Sequence, residues 1–224
     1  MAKAKAERFV DEAVGQAPVQ GFLHAAEGEA AGFLVLTHGA GGNCNAPLLV
    51  ALAEESGLAT LRCDLPFRQR RRTGPPSPSD AGRDQEGLRR AVNLMREKIG
   101  GRAFLGGVSY GGRQASMLVA SAPALVEGLL LLSYPLHPPG RPAQLRTAHF
   151  PELRVPVLFV SGTSDAFGSP GELQQAIKLI PATVNLVTIE GAGHGLLQKT
   201  NREVLPGRIV QEFQSFFFSA ATTR

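Results

Sequence analysis

The sequence predicts an α/β fold: a mostly parallel, twisted sheet with helices on both faces. Three observations carry this expectation. Apolar runs of strand length alternate with helix-length segments along the chain. The runs are continuously apolar, as strands buried on both faces require. The 26 glycines follow no repeat, as tight strand-to-helix turns would distribute them.

Residues 1–14, charged and alanine-rich, are expected to be loosely ordered. Residues 18–24 read as a first strand, followed by the polar turn Glu27-Gly28-Glu29. The run GFLVLT at 32–37 is a buried strand, and the backbone must turn sharply at His38-Gly39-Ala40-Gly41-Gly42. Residues 45–56 have helical composition, with Asn45 as N-cap and Gly57 as the C′ residue. A strand follows at 58–63, and 66–79, rich in Pro, Arg and Ser, reads as an exposed loop. Residues 80–99 place Leu88, Val92, Met95 and Ile99 on one helical face, ended by Gly100-Gly101.

The alternation continues with a strand at 103–106, a helix at 113–122, and strands at 129–132 and 155–160. A helix at 172–180, a last strand at 184–189 and a helix at 205–217 complete it. Between 133 and 154, Pro135, Pro138, Pro139, Pro142 and Pro151 imply a short, stiff, irregular cap segment over one sheet edge, with little or no lid. The 224 residues, with 43% hydrophobic and 19% charged side chains, suit one domain over 1–224 and exclude a disordered chain, a fibre or a disulfide scaffold. No apolar run reaches the ~18 residues that cross a bilayer. The start MAKAKAERFVDEA lacks the apolar core of a secretory signal, so a cytoplasmic protein is expected.

The strongest motif is Gly107-Val108-Ser109-Tyr110-Gly111, after one expected strand and before a helix. G-x-S-x-G in that setting lifts a serine hydroxyl to the top of the sheet, at the positive end of a helix. Such a serine needs a base, and the base an orienting acid, in chain order Ser, Asp/Glu, His. Asp165 follows the strand 155–160 and His194 the strand 184–189, both on the edge where Ser109 stands. Glu190 and Asp64 are the competing acids. The backbone N–H groups of Ala40 and Tyr110 are the expected oxyanion donors. His38 is expected to brace its loop, with substrate contact as its other reading. Neither G-x-x-x-x-G-K-[ST] nor a complete G-x-G-x-x-G is present, and two cysteines cannot form a four-ligand zinc set. No metal or cofactor is expected, and Cys44 reads as a small packing residue.

HGAGG, GVSYGG, GTSD and GAGH, in that order, resemble the α/β-hydrolase superfamily over nearly the whole chain. The runs RCDLPFRQRR at 62–71 and YPLHPPG at 134–140 resemble the small dienelactone-hydrolase-like group, related to the testis-expressed-30 and NSL-complex-subunit-3-like hydrolase domain. The resemblance implies the α/β-hydrolase fold, with Ser109 as nucleophile, Asp165 as acid and His194 as base. Dienelactone hydrolases use a cysteine nucleophile, so the serine here points away from the eponymous reaction. The expected function is a serine hydrolase, carboxylesterase-like, cleaving an ester, thioester or similar substrate with a small or exposed acyl group through an acyl-enzyme on Ser109. The alternatives are a non-catalytic interaction module on this fold and a peptidase or amidase with the same triad.

The net charge of +4 raises nucleic acid or anionic substrates as partners. Arg68-Gln69-Arg70-Arg71-Arg72 lacks interleaved aromatics beyond Phe67, so it reads as a solvated charge run and nucleic acid as an improbable partner. A narrower reading has an arginine of this loop, or Arg113, grip a substrate carboxylate. A monomer or homodimer without membrane attachment is expected.

Overall fold

The computed structural model describes residues 6–12, 14–26, 28 and 31–219. Among these the chain runs β1 (Ala6–Asp11), β2 (Val19–His24), β3 (Gly32–Thr37), α1 (Pro47–Glu55), β4 (Ala59–Asp64), α2 (Pro66–Arg70) and α3 (Ala81–Lys98). It continues through β5 (Arg102–Val108), α4 (Tyr110–Ser121), β6 (Gly128–Leu132), β7 (Val157–Gly162), α5 (Pro170–Ala176), β8 (Val184–Ile189) and α6 (Leu205–Phe218). The strands form one sheet in the order β1-β2-β4-β3-β5-β6-β7-β8. The β1–β2 and β2–β4 pairs are antiparallel and all others parallel.

Continuous apolarity follows from burial on both faces. In β3, Phe33 and Val35 join the core under α3 and α4, while Leu34 and Leu36 join the core under α1 and α6. The leucines of β6 divide likewise, Leu129 and Leu131 to one side and Leu130 and Leu132 to the other. Each side chain points opposite to its neighbours, so both registers must be apolar. From β3 the connections run one way to β4 and the other way from β5 onward. The carboxyl ends of β3 and β5 therefore flank the crevice where such sheets hold their sites.

Four local expectations change. Residues 6–11, expected to be loosely held, form the edge strand β1, whose backbone pairs with β2 although only Phe9 packs on the core. Helix α1 starts at Pro47 without a side-chain cap, because the Asn45 amide oxygen accepts from an Arg62 guanidinium N–H at 3.1 Å instead. The expected exposed loop 66–79 begins with α2, where Phe67 is fully buried and Arg68 is 6% exposed. Segment 133–154 contains one 3-10 turn at Phe150–Glu152 and packs Tyr134, Leu136, Phe150 and Leu153 into the α3–α4 core. It is thus embedded on one face of the sheet rather than lying over an edge. The turn residues Glu27 and Glu29 lie outside the described residues.

Candidate active site

The sharp turn after β5 explains its glycines. A Cβ on Gly107 would lie 2.7 Å from the Gly111 carbonyl carbon. A Cβ on Gly111 would collide with the His38 carbonyl oxygen. Ser109 between them adopts φ 51° and ψ −114°, a conformation that costs an L residue of order 1–3 kcal/mol and recurs at functional turns. Two backbone bonds clamp it: Ser109 N–H donates to the Leu132 carbonyl at 2.8 Å, and Arg113 N–H to the Ser109 carbonyl at 2.9 Å.

The structure brings Ser109, His194 and Asp165 together from three separate strand ends. The Ser109 hydroxyl lies 2.8 Å from His194 Nε2. His194 Nδ1 lies 2.8 and 3.0 Å from the two Asp165 carboxylate oxygens, which fixes Nδ1–H as the donor and frees Nε2 to accept. The Asp165 side chain is fully buried and also accepts the Phe167 N–H at 2.8 Å. The competing acids stand elsewhere. Glu190 is exposed and accepts from the Thr163 hydroxyl at 3.4 Å, and Asp64 accepts the Cys44 N–H at 2.6 Å.

Ala40 and Tyr110 line one cavity with Ser109, and among the described residues neither backbone N–H donates to another protein group. His38 is wholly buried, which corrects its reading as a substrate contact. Its Nδ1–H donates to the Gly39 carbonyl at 2.8 Å and its Nε2 accepts the Leu65 N–H at 3.1 Å. Burial holds its pKa below the ordinary histidine value, which keeps the brace neutral. Cys44 is buried, and desolvation pushes its thiol up to about 12, far from a reactive thiolate. Arg113 lines the cavity beside Ser109.

Arg68 is not a solvated charge. Its guanidinium donates to the carbonyls of Ala40 (2.7 Å), Gly42 (2.8 Å), Gly74 (3.0 Å) and Arg71 (3.1 Å), tying the His38–Gly42 turn to the segment after α2. Arg70 and Arg71 both pair with Asp80. Asp84 escaped the sequence reading. It is fully buried on α3, accepts the Tyr110 hydroxyl at 2.7 Å and the Phe67 N–H at 2.9 Å, and burial raises its pKa. Its position four residues before Leu88, on the apolar stripe of that helix, was the available signal.

Among the described residues no three His, Cys, Asp or Glu side chains gather as a metal site, and no helix is long and apolar enough to cross a membrane. The arrangement sets a base, His194 Nε2, within hydrogen-bond distance of a serine hydroxyl.

The family described as an alpha/beta hydrolase domain matches residues 30–216. Over 50 residues the chain is 48% identical to polyketide synthase ThaQ of Burkholderia thailandensis, a match covering 22% of this chain and 2% of that much longer protein. The fold is similar to dienelactone hydrolase from Anabaena variabilis, with TM-score 0.75, 21% identity, and coverage of 96% of this chain and 100% of that one. An alpha-beta serine hydrolase homologue from Coxiella burnetii aligns with TM-score 0.73 and 19% identity over 92% of this chain and 96% of its own.

Proposed function

This chain belongs to the alpha/beta hydrolase family, and we propose that it is a serine hydrolase cleaving an ester or thioester through an acyl-enzyme on Ser109. The observation that supports this most is the unbroken line from the Ser109 hydroxyl through both nitrogens of His194 to the buried Asp165 carboxylate. In this reading Ser109 Oγ attacks the acyl carbon while its proton passes to His194 Nε2. Asp165 holds the imidazole tautomer and stabilises the imidazolium. The N–H groups of Ala40 and Tyr110 receive the developing oxyanion. Collapse expels the alcohol or thiol, which takes the proton from His194. Water then attacks the acyl-serine with the same imidazole as base, releasing the acid and restoring Ser109.

Gly-rich turns around Ser109, with no α-helix and only one 3-10 turn between 133 and 154, support small or exposed acyl groups over long chains. The test is labelling with a fluorophosphonate probe together with hydrolysis of short-chain nitrophenyl esters. Wild type should label and turn over, and Ser109→Ala should do neither. Absence of labelling in the folded wild-type protein would overturn the reading in favour of a non-catalytic interaction module.

A further inference from the structure

Ser109 opens onto a cavity of about 520 Å³. Pro75, Pro76 and Met117 give it an apolar wall, while Arg113 and Arg146 bring two guanidinium groups to it. The surrounding arginines show what is unusual about these two. Arg70 and Arg71 pair with Asp80, Arg90 pairs with Asp11, and Arg68 donates to four carbonyls. Neither Arg113 nor Arg146 forms an ion pair with a carboxylate among the described residues. Arg113 Nε is buried without an acceptor, and so is Nε2 of its neighbour Gln114, which also lines the cavity. Buried donors of this kind are uncommon in proteins unless something arrives to accept from them.

Both arginines are anchored through their backbones before any ligand arrives. Arg113 stands on α4 four residues beyond Ser109, the N-cap of that helix, a rise of about 6 Å along the axis. Arg146 comes from the opposite side, where its carbonyl accepts the Tyr134 hydroxyl at 2.6 Å and its N–H donates to the Leu136 carbonyl at 2.8 Å. One guanidinium N–H reaches the Pro135 carbonyl at 3.3 Å, which leaves most of the fork free. The two charges feel one another: after burial, the Arg113 charge is what lowers the Arg146 pKa. Two cations lining one cavity without a carboxylate partner are unfavourable until an anion joins them.

We infer that Arg113 and Arg146 form a subsite for a carboxylate carried on the same molecule as the scissile ester or thioester bond. This rests on the serine-hydrolase reading above. An apolar spacer lies along the proline wall, the carboxylate accepts from the two guanidinium forks, and the reacting carbonyl meets Ser109. The short span from Arg113 to Ser109 suits half-esters of small dicarboxylic acids.

The test compares wild type, Arg113→Gln and Arg146→Gln on the nitrophenyl half-ester of glutarate and on nitrophenyl valerate, which carries a methyl group in place of the carboxylate. The ratio of kcat/KM for the acidic over the neutral ester should exceed one in wild type and fall roughly 10- to 100-fold in each variant. An equal ratio in all three proteins overturns the subsite. Fluorophosphonate labelling identifies the variants that have folded. A separate measurement uses Ser109→Ala, which keeps both arginines. Glutarate should raise its Tm, and the absence of a rise overturns the proposal. A rise with inorganic phosphate but not with glutarate overturns the carboxylate assignment. If wild type neither labels nor turns over while glutarate still raises Tm, the hydrolase reading fails and the anion site stands.

Discussion

Phe167 lies flat against the imidazole of His194, ring centroids 4.0 Å apart and planes inclined by 26°. The same residue donates its backbone N–H to Asp165 and accepts the His137 N–H at 3.0 Å through its carbonyl. One residue two positions beyond the acid therefore holds the carboxylate through its backbone and the imidazole through its ring. Face contact of this kind adds about 0.5–1.5 kcal/mol beyond simple burial.

Phe167→Ala should lower kcat roughly 2- to 12-fold on a short-chain ester, the equivalent of that contact. Phe167→Tyr keeps the ring and should recover most of the loss. A loss confined to KM in the alanine variant would assign the ring to the cavity wall alone.

Asp165→Asn should cost about 10,000-fold in kcat. An asparagine keeps an oxygen for the Phe167 N–H, so the loop stays folded. Its amide no longer enforces Nδ1–H on His194, and the wrong tautomer puts a hydrogen where Nε2 must accept from Ser109. Circular dichroism and Tm close to wild type, with turnover nearly abolished, are the expected pair of results.

Gly111→Ala should disrupt the turn. Its Cβ would collide with the His38 carbonyl and lie 2.7 Å from Thr37 Cγ2, so the strand ends must part. A loss of at least 1–3 kcal/mol in stability, with loss of Ser109 labelling, is expected. Gly82 on α3 is the control. Nothing lies within 4 Å of a Cβ there, and Gly82→Ala should stabilise by about 0.4–1 kcal/mol.

The elements most legible in the sequence were those whose signal is burial itself. The apolar runs GFLVLT and VNLVTI have the same boundaries as β3 and β8. Ser109, Asp165 and His194 were legible because each follows such a strand, and the structure brings the three within hydrogen-bond distance. Strand β1 was hidden because its pairing is carried by backbone groups, which leave no apolar pattern. Arg146 and Phe167 were hidden for another reason. Their neighbours in space, Arg113 and His194, lie far along the chain, and no periodicity connects them. Arg68 misleads most, since a run of arginines looks solvated until four carbonyls from two segments close on one of them.

Arg68 therefore supports a prediction that a surface charge would not. Arg68→Ala leaves the carbonyls of Ala40 and Gly42 without their donor and frees the turn that carries the proposed oxyanion N–H. Stability should fall by about 2–4 kcal/mol, and kcat on the surviving folded protein should fall as well. Arg68→Lys should rescue little, because one ammonium cannot span acceptors that a planar fork reaches together. Chemical denaturation and single-substrate kinetics on both variants check this.

Acid stability is set in part by His149, whose Nε2 lies 2.8 Å from the Ser116 hydroxyl. Burial, and then the Arg113 charge, push its pKa down to about 4. An unfolded chain returns it to about 6.5. Between those values the unfolded state binds more protons than the folded one, so stability falls as pH drops through that window. His38, lowered by its own burial, acts in the same direction. Wild type should lose stability on the order of 1 kcal/mol or more between pH 6.5 and 5, above the range where most carboxylates titrate. His149→Gln, whose side-chain amide can still hydrogen-bond the Ser116 hydroxyl, should show a shallower decline of Tm over that interval, with the share due to His38 remaining. Arg113→Gln should shift the same curve in the same sense by a smaller amount, because the charge that helps keep His149 neutral is gone. A slope unchanged by His149→Gln would place the acid sensitivity elsewhere.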